Sequence, residues 1–378
     1  MEQKLLSIVV PTKNRYEYLE KLVELIANFK SDEIELVIQD NSDDNTHILG
    51  FLKGHFPFVV YNHIKGQIPM SQNSDMAILN SHGEYICFIG DDDGVVRYII
   101  ECAHWMKSNK VDAVLPYIAK YKWPESKKGR FMDNRSSLIY HKFTNRITFK
   151  NCEKELIKLA SEGFTSRGKL PLAYHGIISR QLLDKIYNIG GTYFPGSSPD
   201  ISNAVAVSLS TEQYAYIDAP LTISGAGRYH GGGTDNMKNK EPDLRDIPWL
   251  LPNALEEWDS NVPKIGIGEA IWCDSAIKAL KYMGRQDLID KIDYKKLYLA
   301  IASSFPSQRE VLKYKMGNPS LSLIKIFVNK YYVYSKIAIS IILSKCGFKS
   351  KRIIAHNINN IIEAETYLVS HYKNPFNV

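Results

Sequence analysis

The sequence contains few cysteines, and none of them forms a recognisable motif. The five cysteines are scattered over 378 residues, at Cys87, Cys102, Cys152, Cys273 and Cys346. Their number is odd and no C-x-x-C pair occurs, which argues against a disulfide framework or a cysteine zinc site. The pattern is typical of a protein from a reducing compartment.

Long apolar runs are also missing. No stretch is long enough and free enough of charge to span a bilayer. The first residues, Met1–Lys4, lead directly into a strand-like run, so we expect no signal peptide and a cytoplasmic protein. The hydrophobic content of 44% is ordinary for a globular chain. The length allows two domains, or one large domain with an appendage.

The N-terminal third alternates strand and helix patterns. Short apolar runs predict strands at Leu5–Val10, Ile34–Ile38, Phe58–Tyr61 and Tyr85–Ile89, with helical spacing between them. Such alternation predicts an α/β fold with a parallel, doubly wound sheet. Right-handed crossovers place the strand ends on a common rim. Pro11-Thr12, Asp40 and Asp91-Asp92-Asp93 should meet there.

The three adjacent carboxylates Asp91, Asp92 and Asp93 are the most distinctive feature of the chain. Neighbouring negative charges repel each other unless water or a cation neutralises them. A set of oxygen ligands favours Mg²⁺ or Mn²⁺ over zinc. The alternative is a solvated turn that ends a strand.

Three blocks of sequence resemble family 2 glycosyltransferases of the GT-A fold. The blocks are Val10–Arg15, Val37–Thr46 and Gly83–Asp93, in the order and spacing of that family. The resemblance implies a nucleotide-sugar donor, a divalent metal (Mn²⁺ or Mg²⁺) and inversion at the anomeric carbon. The chain departs from the family pattern where Gly90 replaces an acid and where Ser74-Asp75 replaces a common Arg-Asn pair.

The resemblance also assigns roles to individual residues. Asp40 would accept a hydrogen bond from the base, although an Asx-turn is the alternative for this residue. Asp91 would face ribose or phosphate, and Asp92 would hold the metal with help from Asp93. The implied nucleotide-sugar site comprises Pro11, Thr12, Asn14, Arg15, Asp40, Asp91 and Asp92.

A candidate general base lies downstream at the predicted start of a helix. Ser198 suits the N-cap, Pro199 the first helical position and Asp200 the first turn. An inverting transfer needs a carboxylate that takes the proton of the acceptor hydroxyl. The alternative is that Asp200 only complements the helix dipole. Asp184 and Asp218 are weaker rivals for the role of base.

Further contacts with the acceptor or the pyrophosphate are predicted at His175, Arg228 and His230. His175 lies in a segment that resembles the acceptor side of the cleft, and a structural histidine is the alternative. The other two residues lie in the glycine-rich run 225–234, which suits either a lid or an ordinary mobile connection. The basic and aromatic stretch 120–147 carries no nucleic-acid motif, so we expect no nucleic-acid partner.

The C-terminal third predicts helices. We divide the chain into a GT-A catalytic domain at 1–235, with a nucleotide-sugar part at about 1–117 and an acceptor part at about 118–235, and a mainly helical region at 236–378. Segment 321–352 has seven basic residues and no acid. It fits a helix on an anionic membrane surface at the inner face of the cell membrane. A packed terminal helix and a protein interface, such as that of a homo-oligomer, are the alternatives.

The sequence therefore predicts an inverting transferase that moves a sugar, from UDP by preference, to a hydroxyl of a glycan or lipid-linked acceptor in surface polysaccharide synthesis. A sugar-phosphate nucleotidyltransferase is a second enzyme reading. A non-catalytic glycan-binding protein on a transferase fold is the third.

Overall fold

The computed structural model describes residues 3–124, 135–227, 243–247, 249–305 and 352–376, together with positions 331, 335 and 339. Of the sequence predictions, Arg228, His230 and nearly all of segment 321–352 lie outside this part of the chain.

The N-terminal half forms the parallel part of the sheet. Its strands are β1 (Leu6–Thr12), β2 (Ile34–Asp40), β3 (Val59–His63) and β4 (Tyr85–Phe88). β1 lies between β4 and β2, β3 flanks β2, and each of these pairs is parallel. The connecting helices are α1 (Tyr16–Ala27), α2 (Thr46–Leu52) and α3 (Met70–Leu79). The predicted α/β class and the four predicted strands are confirmed.

The remaining strands extend the same sheet with mixed direction. They are β5 (Gly94–Val95), β6 (Ala113–Lys122), β7 (Ser137–His141), β8 (Ile147–Asn151), β9 (Ile177–Ser179), β10 (Gln213–Ala226) and β11 (Arg352–His356). β9 lies antiparallel between β4 and β6. The long β10 runs parallel to β6 and antiparallel to β5 and β8. Across the described ranges, these strands form one sheet of eleven strands.

Helices cover both faces of the sheet, and each face has its own apolar core. The other helices are α4 (Ile99–Asn109), α5 (Cys152–Ala160), α6 (Arg180–Gly190), α7 (Pro199–Ser210), α8 (Gly268–Tyr282), α9 (Gln286–Ile289), α10 (Tyr294–Ser304) and α11 (Ile361–His371). Successive side chains of a strand point to opposite faces. Val9 therefore joins the core formed with α3 and α5–α10, whereas Ile8 and Val10 join the core formed with α1, α4 and α11.

The end of the chain returns to the N-terminal part of the sheet. β11 pairs antiparallel with β7, and α11 packs against α1. The buried Glu365 of α11 accepts hydrogen bonds from the Nε and Nη2 atoms of Arg97 at 2.8 and 2.9 Å. The predicted helices of this region are present as α8–α11, but β11 is a strand that the sequence pattern does not show.

The length and apolar character of a helix decide whether it can cross a bilayer. Within the ranges given above, no helix has both the length and the apolar character needed to cross a bilayer.

Candidate functional site

The candidate site lies at the carboxyl edge of the parallel strands. Thr12 at the end of β1 is in register with Asp40 at the end of β2, and the acidic segment 91–93 follows β4. The Thr12 hydroxyl donates to Asp91 Oδ2 at 2.7 Å. The three strand-end motifs therefore converge on one rim, as the strand order of an α/β sheet requires.

Arg15 is the cation that neutralises two of the clustered acids. Its Nη1 lies 3.1 Å from Asp91 Oδ1, and its Nη2 lies 2.8 Å from Asp92 Oδ2. The three side chains are 16%, 3% and 5% exposed, so the ion pairs are largely shielded from water. The planar guanidinium suits such a two-pronged contact. Burial raises the pKa of Asp91, and the charge of Arg15 opposes that shift.

Asp93 faces the protein interior rather than the rim. Its Oδ1 accepts from Gly225 N at 2.7 Å, and its Oδ2 accepts from Gly90 N at 2.8 Å and from the Tyr174 hydroxyl at 3.0 Å. Burial, and then the charge of Asp92, raise the pKa of the Asp93 carboxyl. These contacts hold the acidic segment to β10 and to the chain around Tyr174.

The contacts of the acidic segment limit which of its oxygens could bind a divalent metal. In the part of the chain that the structure describes, no group of three or more His, Cys, Asp or Glu side chains is arranged as a metal site. The oxygens of Asp93 are used by protein donors, so the predicted assistance of Asp93 to a metal has no support in this geometry. Asp91 and Asp92 are the acids at the rim, where Arg15 already pairs with both and where Thr12 and Gly227 also donate to them. They fit a cation shared with substrate phosphates, the usual arrangement for Mg²⁺, rather than an all-protein cage.

Asp40 lies at the centre of a closed hydrogen-bond network. Its Oδ2 accepts from the hydroxyls of Tyr16 and Tyr61, both at 2.7 Å, and its Oδ1 accepts from Ser42 N at 2.8 Å. The residue is 0% exposed. The Ser42 contact is the Asx-turn that the sequence offered as an alternative. This geometry favours a positioning role for Asp40 over the predicted direct contact with the base.

Asn14 connects the first two loops of the rim. Its backbone is in the left-handed region at φ +56°, which asparagine tolerates better than most residues. Asn14 N donates to Ser42 Oγ at 2.7 Å, and its side-chain amide donates to Asp43 at 2.8 Å. The preceding Pro11 is half-buried in β1, in register with Gln39 of β2. The loop after β1 is therefore held in place without a ligand.

Asp200 lies in the first turn of α7, as predicted. The expected capping hydrogen bond from the Ser198 side chain to the helix backbone is absent. Ser198 occupies the N-cap position without a capping hydrogen bond, and its hydroxyl instead donates to Asp200 Oδ1 at 2.6 Å. That oxygen also accepts from Ile201 N at 2.9 Å. Asn203, one turn further along the helix, accepts from Ala173 N at 2.8 Å, and the next residue, Tyr174, contacts Asp93. The first turns of α7 are thus joined to the acidic segment.

The two rivals of Asp200 lie in other surroundings. Asp184 borders a groove together with Tyr85, at the amino end of β4 and so at the opposite edge of the sheet. Asp218 is bound by the Thr144 hydroxyl at 2.6 Å and by His141 at 3.0 Å. Neither environment brings a free carboxylate to the rim.

His175 lies behind Asp93 and has no access to solvent. Its Nε2 is 3.3 Å from Asp93 Oδ2, its exposure is 0% and its ring nitrogens make no hydrogen bond. Burial lowers the pKa of His175 to about 3, so the imidazole is neutral. The predicted acceptor contact by His175 has no support in this geometry, whereas the structural alternative does.

Several residues that shape the rim were not predicted from the sequence. Trp123 Nε1 donates to the Asp92 carbonyl oxygen at 2.9 Å, and Gly227 N donates to Asp92 Oδ2 at 2.9 Å. A Cβ on Gly225 would lie 1.7 Å from that carbonyl oxygen. The described glycines of run 225–234 therefore pack against the acidic segment, and only the glycine density signalled such a close approach.

Two solved structures are distantly similar to the chain. S. aureus TarS 1–349, solved in complex with UDP-GlcNAc, is 15% identical, with a TM-score of 0.47 over 89% of this chain and 92% of that chain. The mannosyltransferase PcManGT from Pyrobaculum calidifontis, solved with GDP-Man and Mn²⁺, is 16% identical, with a TM-score of 0.39 over 88% of each chain. No conclusion about donor or acceptor follows from similarities at this level. No curated protein matches the chain significantly.

A family model covers the segment that builds the rim. The model described as glycosyl transferase family 2 matches residues 7–157. The match includes β1, β2 and the acidic segment, which are the elements that converge at the carboxyl edge. It is therefore the segment that builds the rim, residues 7–157, that matches glycosyl transferase family 2.

Proposed function

We propose that this protein is an inverting glycosyltransferase that moves a sugar from a nucleoside-diphosphate donor, preferably a UDP-sugar, to a hydroxyl of a glycan or lipid-linked acceptor. One observation carries the proposal. Inside the family 2 segment, Thr12 and Arg15 meet the buried Asp91 and Asp92 at the edge where α/β sheets bind ligands.

The donor side of the site is assigned to the loops after β1, β2 and β4. Cleavage of the sugar–phosphate bond leaves extra negative charge on the departing diphosphate, and fixed cations stabilise such charge. Arg15 supplies a guanidinium at this point. A divalent cation, when bound, would add a Lewis acid there, and Asp91 and Asp92 would hold it. Asp40 would act indirectly, because it orients Tyr16 and Tyr61 beside the base.

The acceptor side is assigned to α7. The proposal gives Asp200 the role of general base, which takes the proton of the attacking hydroxyl on its carboxylate. The hydrogen bonds that Ile201 N and the Ser198 hydroxyl donate to Asp200 Oδ1 fix the orientation of this carboxylate. Attack from the face opposite the leaving diphosphate inverts the anomeric carbon.

The test of this proposal is the variant Asp200→Asn, assayed for sugar transfer and, separately, for binding of UDP in the presence of Mn²⁺. General-base catalysis contributes roughly 10²–10⁴-fold, so we expect a loss of transfer in that range with UDP affinity preserved. Asp184→Asn, at the opposite edge of the sheet, is the matched control. Full transfer by Asp200→Asn would remove Asp200 from the mechanism.

A further inference from the structure

Arg167 differs in its polar contacts from the other half-buried arginines of the described ranges. Four arginines in the described ranges are half-buried: Arg15, Arg167, Arg180 and Arg285. Arg15 and Arg285 form ion pairs, and Arg180 donates to the Gly83 carbonyl and the Ser81 hydroxyl. Among the residues that the structure describes, none forms a hydrogen bond or an ion pair with Arg167. A guanidinium that no described acid neutralises can bind an anionic group from outside the protein.

The position of Arg167 is fixed by an aromatic ring at the acidic segment. Its guanidinium carbon lies 5.9 Å from the centroid of the Tyr174 ring, within range of a cation–π contact. The hydroxyl of the same Tyr174 donates to Asp93 at 3.0 Å. Through Tyr174, Arg167 is therefore connected to Asp93 of the acidic segment.

Two further cations, Lys169 and Lys150, lie at the ring of Tyr216 in β10. Lys169 Nζ lies 4.7 Å from the centroid of the Tyr216 ring, and Lys150 Nζ lies 5.2 Å from the same centroid. The carbonyl of Lys169 accepts from the Tyr214 hydroxyl, which fixes this part of the chain to β10. Glu155, at 3.9 Å from Lys150 Nζ, is the one acid paired with these cations in the part described. We call Arg167, Lys169 and Lys150 the basic strip.

The segment that carries Arg167 also contacts α7, the helix assigned to the acceptor side. The chain from Arg167 reaches Ala173, which donates to Asn203 of α7, one turn beyond Asp200. An acceptor hydroxyl must approach Asp200, whereas the donor diphosphate is assigned to the rim beside Arg15. Several cations in a row suit repeated anionic groups better than one diphosphate.

We propose that the basic strip binds the anionic groups, of the phosphate or carboxylate class, of a polyanionic acceptor chain that enters the site past Tyr174. The inference rests on the proposed glycosyltransferase function and specifies the acceptor as anionic. Arg167 is the anchor because its planar fork can bind an oxyanion through two hydrogen bonds. Lys169 and Lys150 bind the following groups as point charges.

The experiment uses the full chain and two anionic probes, short-chain inorganic polyphosphate and oligogalacturonate, with maltohexaose as the neutral probe. The variants are Arg167→Ala, Arg167→Lys and Lys169→Ala, with Arg352→Ala, an exposed arginine of the edge strand β11, as the matched control. Dissociation constants for the probes, and for UDP with Mn²⁺, are measured at low and high salt, and thermal melting checks that each variant is folded.

We expect the wild type to bind at least one anionic probe, more weakly at high salt, and not to bind maltohexaose. Arg167→Ala should weaken that binding by about tenfold, the scale of one charge-assisted contact. Arg167→Lys should retain part of the affinity, Lys169→Ala should lose about threefold, and Arg352→Ala should match the wild type. UDP affinity should change less than twofold in every variant.

Three results would overturn the inference. The first is a wild type that binds neither anionic probe. The second is anionic-probe affinity in Arg167→Ala equal to that of the wild type. The third is a loss of UDP affinity in Arg167→Ala, which would place Arg167 on the donor diphosphate instead. A wild type that binds no UDP with Mn²⁺ would count against the proposed function itself, whatever the probes show.

Discussion

At the scale of single residues, the site depends on the charge balance around Arg15. One guanidinium lies between two buried carboxylates that would otherwise repel each other. The same two carboxylates are those proposed to hold a divalent cation together with the donor. Arg15 and the metal therefore act on the same negative charge.

The variant Arg15→Gln tests this competition. Loss of a positive charge next to Asp91 and Asp92 should strengthen Mn²⁺ binding by several-fold in the absence of nucleotide, because a like charge no longer repels the cation. The measurement is a titration of free Mn²⁺ by electron paramagnetic resonance, with Arg245→Gln, on an exposed arginine, as the control. Unchanged or weaker Mn²⁺ binding in Arg15→Gln would contradict the shared-charge account.

Individual residues were predicted well where the backbone alone decides their place. Thr12 and Asp40 end buried strands and Asp91 follows one, so a parallel sheet must bring them to one edge. The orientation of their side chains was less accessible. Asp40 and Asp93 face inward because distant donors, Tyr61 and Gly225 among them, fill their lone pairs. A sequence does not display such long-range partners.

At the scale of elements, β10 supports the acidic segment. The N–H groups of Gly225 and Gly227 donate to Asp93 and Asp92, and the backbone of Asp92 passes directly over Gly225. The end of this strand and the acidic segment therefore form one rigid unit, held together by backbone contacts that a side chain at position 225 would block.

The variant Gly225→Ala should disrupt this unit. The added Cβ would lie 1.7 Å from the Asp92 carbonyl oxygen, so one of the two segments must move. We expect the free energy of unfolding to fall by about 2–3 kcal/mol, the range of overpacking in a buried site, and UDP binding to weaken. Gly50→Ala, in α2 with no atom within 4 Å of the new Cβ, should be neutral or slightly stabilising. Denaturant unfolding measures both variants, and equal stabilities would contradict this account.

Some strands were easier to predict from the sequence than others. β1, β2 and β4 are buried apolar runs that end at polar turns, so their pattern is unambiguous. β11 alternates exposed and half-buried residues and pairs with β7 at the edge of the sheet. Its sequence follows a lysine-rich segment and shows no apolar run. A strand defined by its partner rather than by its own burial leaves little local signal.

At the scale of the whole molecule, the last described segment adds β11 to the central sheet. α11 covers α1 on one face, and Glu365 is 1% exposed where Arg97 reaches it. The assignment of 236–378 to a separate helical region remains a prediction. The contacts of residues 352–376 instead tie the end of the chain to the family 2 segment.

The variant Arg97→Ala tests this connection. The variant removes the charged partner of the buried Glu365 carboxylate and keeps the hydrogen bond from the backbone N of residue 97 at 3.2 Å. Breaking a buried ion pair costs roughly 3–5 kcal/mol, and the loss should fall at the low end here because Arg97 is itself 44% exposed. Lys107→Ala, which removes the exposed pair with Glu84, should cost less than about 1 kcal/mol. Urea unfolding of both variants is the measurement. A loss for Arg97→Ala no larger than that for Lys107→Ala would show that α11 does not support the fold.

The account as a whole depends on the binding of a nucleoside diphosphate at the acidic rim. The most direct measurement is calorimetric titration of UDP in the presence of Mn²⁺ into the wild type and into Asp92→Asn, with Asp184→Asn as the folded control. We predict binding to the wild type and to the control, and at least about tenfold weaker binding to Asp92→Asn, the scale of one charge-assisted contact. Equal affinity of Asp92→Asn and the wild type, or no binding of UDP, GDP or ADP to the wild type, would contradict the account.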